Sequence, residues 1–86
     1  MMDRKGKLSL DQPAVYQIQV PGEPGENWAE WGWKVTITVT RRGDDPPVTS
    51  LTGSFDQAAL QGMLRRLYSL GLPLISVQYM GDVLQE

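Results

Sequence analysis

Three tryptophans form the densest group of side chains that could recognise another molecule. Trp31 and Trp33 are two residues apart, and in a strand this spacing places both side chains on one face. We interpret that face as core or dimer interface, because large aromatic side chains dominate the packing of both. Trp28 lies in a Pro/Gly-rich segment, where two interpretations stay open. It caps the edge of the core, or it lines a pocket for an apolar or cationic ligand.

Side chains for proton transfer and metal binding are scarce. The chain has no histidine and no cysteine, so it lacks the commonest general base, the commonest metal ligand, a thiol nucleophile and any disulfide. Glu23, Glu26 and Glu30 form an acidic segment whose spacing matches no calcium-binding loop, and we interpret it as solvated. The sequence therefore predicts no catalytic residue, no metal site and no cofactor, and it favours a non-enzymatic protein.

The charge balance argues against nucleic acid as a partner. The formal net charge is -2 at pH 7. Two basic doublets, Arg41-Arg42 and Arg65-Arg66, are explained by solubility and by the dipole of a predicted helix. No stretch approaches the roughly 18 apolar residues of a membrane span, and the first residues do not form a signal peptide. We therefore expect a cytoplasmic protein with neither nucleic acid nor a membrane as its partner.

The elements that must position these residues follow from the hydrophobic pattern. A chain of 86 residues predicts one domain. We place it at residues 14–80, after a flexible lead-in at 1–13 and before a tail at 81–86. Period-two alternation predicts strands, with Ser, Thr, Gln and one charged residue, Lys34, opposite the apolar face. That polar face is a solvated surface, a hydrogen-bonding platform or a contact with another chain. The predicted strands are residues 14–20, 31–40, 48–55 and 74–80.

Between the last two strands the period becomes helical. Asp56 is a natural N-cap, Gly71 supplies the left-handed residue after the helix, and Pro73 prevents its continuation. Gly62 lies mid-helix, where it costs about 1 kcal/mol relative to alanine, which suggests the close approach of a backbone or a ring. The helix is predicted from about residue 57 to 70. Its apolar stripe consists of Leu60, Met63, Leu64, Leu67 and Leu70.

These elements predict an α+β fold with two layers in the order β-β-β-α-β. Short connections favour an antiparallel three-stranded meander, and the last strand should run parallel to the third if both share a sheet. One helix covers about 10 Å of a sheet that is roughly 15–20 Å wide. Part of the inner face, around Trp31, Trp33 or Tyr16, should stay uncovered, and the sheet edges should stay open. We therefore predict a homodimer, closed by edge strands or by the exposed inner surface.

The helix and the last strand resemble a group of short uncharacterised bacterial proteins with a similar helix that ends in a Leu-Gly-Leu-Pro-Leu stretch. The resemblance covers roughly residues 15–79 and departs at Gln61, where the group often has histidine, and in the loop after Trp31. It implies one intact domain and supplies no activity, cofactor or substrate. The matching residues are Asp56-Gln57-Ala58-Ala59-Leu60, Gly62, Leu64, Leu67 and Leu70-Gly71-Leu72-Pro73-Leu74-Ile75-Ser76-Val77, with Tyr16-Gln17-Ile18-Gln19-Val20, Trp28-Ala29-Glu30-Trp31 and Leu51-Thr52-Gly53 upstream.

Two functional hypotheses remain. The first is a non-enzymatic, homodimeric module that binds another protein through an open strand edge, the polar sheet face or the tryptophan-bearing loop. The alternative is a small-molecule-binding protein or an enzyme, with a pocket between sheet and helix lined by Trp31, Trp33 and Tyr16. The candidate interaction residues are Trp28, Trp31, Trp33, Tyr16 and Gly62.

Overall fold

The computed structural model describes residues 10–25 and 34–82. This part of the chain forms a four-stranded antiparallel sheet and one helix, so the predicted α+β class is confirmed. The last strand runs to residue 82, two residues beyond the predicted end of the domain, and the division into lead-in, domain and tail stays a prediction. The elements are β1 (Ala14–Pro21), β2 (Val35–Thr40), β3 (Val48–Phe55), α1 (Gln57–Ser69) and β4 (Ser76–Asp82).

The strands lie in the order β2-β3-β1-β4, and each neighbouring pair is antiparallel. The predicted three-stranded meander is therefore wrong, because β1 pairs with β3 and β4 and not with β2. Residues 22–34 connect β1 to β2, and a connection of this length can pass one strand, about 4.8 Å wide. β1 also carries the most deeply buried apolar row, which favours a central place. The expectation that β3 and β4 run parallel to each other is confirmed, because both strands are antiparallel to β1.

The core lies between α1 and the two central strands. Ile18 of β1 is opposite Leu51 of β3, and both are fully buried. The helix contributes Leu60, Met63 and Leu67 to the same cluster. We call the sheet face that packs against α1 the inner face, and the opposite one the outer face. Three residues of the predicted helical stripe therefore belong to the core and Leu64 packs against it, whereas Leu70 is 40% exposed.

Both predicted helix signals are confirmed. The Asp56 side chain accepts a hydrogen bond from the Ala59 N–H at 2.8 Å, which satisfies a free donor of the first turn. Gly71 follows the helix with a φ of 77°, a backbone conformation that favours glycine. The Gly71 N–H donates to the Tyr68 carbonyl and the Leu72 N–H to the Leu67 carbonyl, so the last turn closes before β4 begins.

Helix α1 leaves the inner face of both edge strands half-exposed, so part of the inner face is uncovered in the described part of the chain. Ile37 on β2 is 44% exposed, and on β4 Val77 is 39% and Tyr79 is 40% exposed. The expectation that Tyr16 lies in the uncovered part is wrong, since only 5% of it is exposed. The physical reason is the strand order, which places β1 in the centre of the sheet. Trp31 and Trp33 lie outside the described residues.

Candidate functional site

Two of the five predicted interaction residues lie in the described part of the chain. Tyr16 belongs to the core, and its hydroxyl accepts a hydrogen bond from Gln57 Nε2 at 2.6 Å. Gly62 is half-buried in the middle of α1. Their role in an interaction stays a prediction. So does the pocket between sheet and helix, because the tryptophans proposed to line it, Trp31 and Trp33, lie outside the described residues, as does Trp28.

Strand β4 forms an open edge of the sheet. Among the described residues it pairs with β1 alone, so its other side presents unpaired backbone N–H and C=O groups. Proteins usually block such an edge with lysine, proline or a β-bulge. β4 contains no lysine, arginine or proline, and its register shift lies near Met80, close to the end of the strand. Val77, Tyr79 and Met80 are each about two-fifths or more exposed, so β4 combines an open edge with apolar side chains.

Strand β2, the opposite edge, is bounded by positive charge. Lys34 precedes it and Arg41-Arg42 follow it. Its outer-face residues are threonines, and its inner face carries the half-exposed Ile37. Like charges that face each other across paired strands are destabilising. β2 is therefore less suited than β4 to pair with a second copy of itself.

A tyrosine and an aspartate form a hydrogen bond near the end of β4. The Tyr79 hydroxyl donates to Asp82 Oδ1 at 2.9 Å, and the Tyr79 ring centroid is 5.9 Å from that of Tyr16. The hydrogen bond to the Asp82 carboxylate is the main cause that raises the pKa of Tyr79 above 10.0. Tyr79 therefore stays protonated near neutral pH and offers a ring and a donor, not a base.

The outer face carries a hydrogen-bonded row across three strands. Gln19 Nε2 donates to Ser50 Oγ at 3.1 Å, and Ser76 Oγ donates to Gln19 Oε1 at 2.9 Å. The row links β3, β1 and β4. The strand register aligns the other polar residues of the predicted face beside it, except Lys34, which lies just before β2. The aligned polar residues are Gln17, Gln19, Thr36, Thr38, Thr40, Ser50, Thr52, Ser54, Ser76 and Gln78.

A cleft of about 350 Å³ lies at one end of the outer face. Gln19, Thr40 and Val48 line it from three adjacent strands. The loop between β2 and β3 contributes Arg42, Asp45 and Pro46, and Ile75 contributes from just before β4. The cleft therefore combines a cation, a carboxylate, an amide and a hydroxyl with an apolar surface.

Hydrogen bonds hold the β2–β3 loop at the cleft. The Asp45 N–H donates to the Arg42 carbonyl at 2.8 Å, which closes a β-turn in this loop. At the base of the loop, the Gly22 N–H donates to the Pro47 carbonyl, and Thr49 Oγ1 donates to the Gly22 carbonyl, both at 2.7 Å. These bonds join the start of β3 to the segment that follows β1, so the loop has a defined place over the sheet.

The described residues contain neither a metal-binding cluster nor a helix that could span a membrane. In residues 10–25 and 34–82, no three acidic, histidine or cysteine side chains are placed to hold a metal ion. Glu23 of the acidic segment is paired with Arg41, while Glu26 and Glu30 lie outside the described residues. The same part of the chain contains no helix with the length and hydropathy to cross a bilayer. The cytoplasmic location and the exclusion of nucleic acid stay predictions.

The fold and its surfaces define a small α+β domain with one helix on an antiparallel sheet. A family model described as a domain of unknown function, DUF8691, matches residues 15–78. This match spans most of the chain, and the protein belongs to that family. No curated protein and no solved structure matches the chain. The resemblance to uncharacterised proteins is thereby confirmed, whereas the bacterial group and its specific motif stay predictions.

The sequence interpretation missed both the edge character of β4 and the cleft. Residues 76–81 contain no charged side chain, and this absence of charge is the sequence feature that could have indicated an unprotected edge strand. No local signal marked the cleft. Arg42 belongs to a basic doublet that solubility explains, and Gln19 and Ile75 reach the same site only through the order of the strands.

Proposed function

We propose that this domain is a non-enzymatic interaction module that forms a homodimer through β4. The observation that supports the proposal is the open edge of β4, which is uncharged from Ser76 to Gly81 and carries the half-exposed Val77, Tyr79 and Met80. Pairing β4 with its copy satisfies the free backbone groups, and each added cross-strand pair stabilises the sheet.

Symmetry defines the shape of the proposed dimer. Two copies of one strand that pair antiparallel are related by a two-fold axis perpendicular to the sheet. Both helices then lie on the same side, and Val77 and Tyr79 of the two copies line the groove between them. The outer faces join into one polar surface without charged strand residues. We propose that a protein partner binds this groove or this polar surface.

The first experiment measures the solution mass by light scattering after size-exclusion chromatography. We expect twice the chain mass of 9.6 kDa down to low micromolar concentration. The double variant Gln78→Lys/Met80→Lys adds two positive charges to exposed positions of β4, and the charges of two copies repel each other across the axis. We expect this variant to be monomeric.

The matched control places the same charges on the other edge. The double variant Thr36→Lys/Thr38→Lys changes two exposed residues of β2 and should stay dimeric. Circular dichroism verifies that both variants are folded. A monomeric wild-type protein contradicts the proposal, and so does a dimer that the β2 variant dissociates and the β4 variant does not.

A further inference from the structure

The cleft on the outer face presents one positive and one negative side chain that are free for a ligand. Arg42 and Asp45 both line it, and in the described part of the chain neither forms a side-chain hydrogen bond or ion pair. Their neighbour Arg41, in contrast, is paired with Glu23. The turn closed by the Asp45 N–H brings the two Cα atoms within about 7 Å of each other. The two charges therefore belong to one small region of the cleft.

Gln19 supplies a fixed amide to the same cleft. Its bonds to Ser50 and Ser76 hold both ends of the side-chain amide, so its orientation is set before a ligand binds. An amide carries two N–H donors and two acceptor lone pairs, so each end of Gln19 can form one further bond. Thr40 adds a hydroxyl that can donate or accept. The cleft can therefore bind polar groups next to the two charges.

The rest of the lining is apolar, and the cleft is small. Pro46, Val48 and Ile75 contribute the apolar surface, and Ile75 is half-exposed. A volume of about 350 Å³ lies at the lower end of the range of roughly 300–1,000 Å³ that is usual for ligand pockets. The size and the surface fit a small molecule with a short apolar side chain.

We propose that this cleft binds a small zwitterion, either a free α-amino acid or a short peptide, with an apolar side chain. The ligand's carboxylate binds Arg42, whose guanidinium matches a carboxylate in geometry, and its ammonium group binds Asp45. A simple anion is disfavoured by Asp45 and a simple cation by Arg42. The apolar side chain packs on Val48, Pro46 and Ile75. This site is separate from the β4 interface and does not depend on the proposed dimer.

Four related probes test the proposal by calorimetry and by NMR shifts of the Gln19 side-chain amide. Leucine carries both charges, N-acetyl-leucine lacks the ammonium group, and leucinamide lacks the carboxylate. The dipeptide leucyl-leucine carries both charges at a wider separation. We expect leucine or the dipeptide to bind, and the tighter of the two identifies the source as a free amino acid or a peptide. Each single-charge probe should bind about tenfold more weakly than the better zwitterion, because it lacks one charge-assisted hydrogen bond.

Neighbouring residues provide matched variants. Arg42→Gln should weaken the better zwitterion about tenfold and should not weaken leucinamide, whose positive charge Arg42 repels. Asp45→Asn should likewise weaken the better zwitterion about tenfold and should not weaken N-acetyl-leucine, whose negative charge Asp45 repels. Arg41→Gln and Asp44→Asn change the adjacent charges outside the lining and should bind as the wild type does. The Gln78→Lys/Met80→Lys variant should also bind normally, which separates this site from the dimer.

Three results would overturn the proposal. One is the absence of any response to leucine and to the dipeptide at about 10 mM, far above the concentration needed for even weak specific binding. Another is equal binding of the zwitterions and the single-charge probes. The third is a loss of affinity in Arg41→Gln and Asp44→Asn that equals the loss in Arg42→Gln and Asp45→Asn, because a general charge effect would then explain the binding.

Discussion

The two edges of the sheet share one architecture and differ in their protection. β2 and β4 both present polar residues on the outer face and half-exposed apolar residues on the inner face. Lys34 and Arg41 bound β2, whereas β4 carries no basic residue and ends at Asp82. Charge at a strand edge is a common device against pairing with another chain. Positive charge therefore protects the β2 edge against pairing, whereas the β4 edge has no such protection.

One row of side chains makes the comparison measurable. Ile37, Leu51, Ile18 and Val77 lie opposite one another across β2, β3, β1 and β4 on the inner face. The two central residues are fully buried, and the two terminal ones are half-exposed. Truncations along the row therefore separate the contribution of the core from that of each edge.

The largest effect is expected at the centre of the row. Leu51→Ala removes a fully buried side chain that adjoins both Ile18 and Ile37. We expect a loss of about 2–5 kcal/mol in the free energy of unfolding, because the change leaves a cavity. Urea denaturation measures it. Leu51→Met, which conserves volume, should lose less than about 1.5 kcal/mol. Equal losses in the two variants would show that packing around Leu51 does not limit stability.

The next effect compares the two ends of the row. Ile37→Ala and Val77→Ala should each lower the stability of the monomer by about 1 kcal/mol, and Ile37→Ala slightly more, because it removes more apolar surface. Dimerisation should show the reverse order, since Val77 lies at the proposed interface. The dissociation constant, measured by sedimentation, should rise in Val77→Ala and stay unchanged in Ile37→Ala. A larger rise in Ile37→Ala would place the interface at β2 instead.

A smaller effect on stability is expected at high pH. Of the two edge strands, β4 contains a tyrosine, Tyr79, and β2 contains none. The folded state raises the pKa of Tyr79 above 10.0, chiefly through the hydrogen bond to Asp82. This contribution to stability is fully present below pH 10 and is lost as the pH rises through the raised pKa of the folded state. Ionised Tyr79 also places like charges near the proposed two-fold axis, so the dimer should weaken in the same pH range.

Two tyrosine variants check this expectation. In Tyr79→Phe, the part of the stability loss that belongs to Tyr79 should disappear from thermal melts collected above pH 10.0. Tyr68→Phe is the control, because Tyr68 is 85% exposed and its phenol is not part of the pair with Asp82. The pKa of Tyr79 follows from the ultraviolet absorbance of the tyrosinate form. Identical high-pH profiles in both variants and the wild type would argue against a role for the Tyr79–Asp82 pair.

Local elements of the fold could be predicted from the sequence because their signals are local. The N-cap at Asp56 and the helix end at Gly71 depend on residues within one turn, and both are confirmed. The alternation of Tyr16 and Ile18 with glutamines likewise specifies the two faces of β1. Such patterns state which side of a strand is buried and contain no information about which strand lies beside it.

The strand order and the cleft depend on contacts between distant parts of the chain. The central place of β1 results from pairing with both β3 and β4, and no short segment contains that information. The cleft brings Gln19 together with Arg42 and Ile75 only after this order is established. The edge at β4 follows in the same way, because a strand becomes an edge through the absence of a neighbour. Surface sites of this kind can be predicted from sequence only after the order of the strands is known.

The smallest expected effect concerns the charge that bounds β2. Arg41 pairs with Glu23, and both side chains are at least half-exposed. Arg41→Gln should therefore change the free energy of unfolding by at most about 1 kcal/mol, and less at high salt, because water and ions screen exposed charges. Thr38 and its neighbours stay uncharged in this variant. The variant therefore also tests whether Arg41 is needed to prevent β2 from pairing with another chain. We expect the mass in solution to stay that of the wild type, because Lys34 and Arg42 still carry positive charge at the two ends of β2. Species larger than the wild-type assembly in Arg41→Gln alone would show instead that this one arginine keeps β2 from pairing.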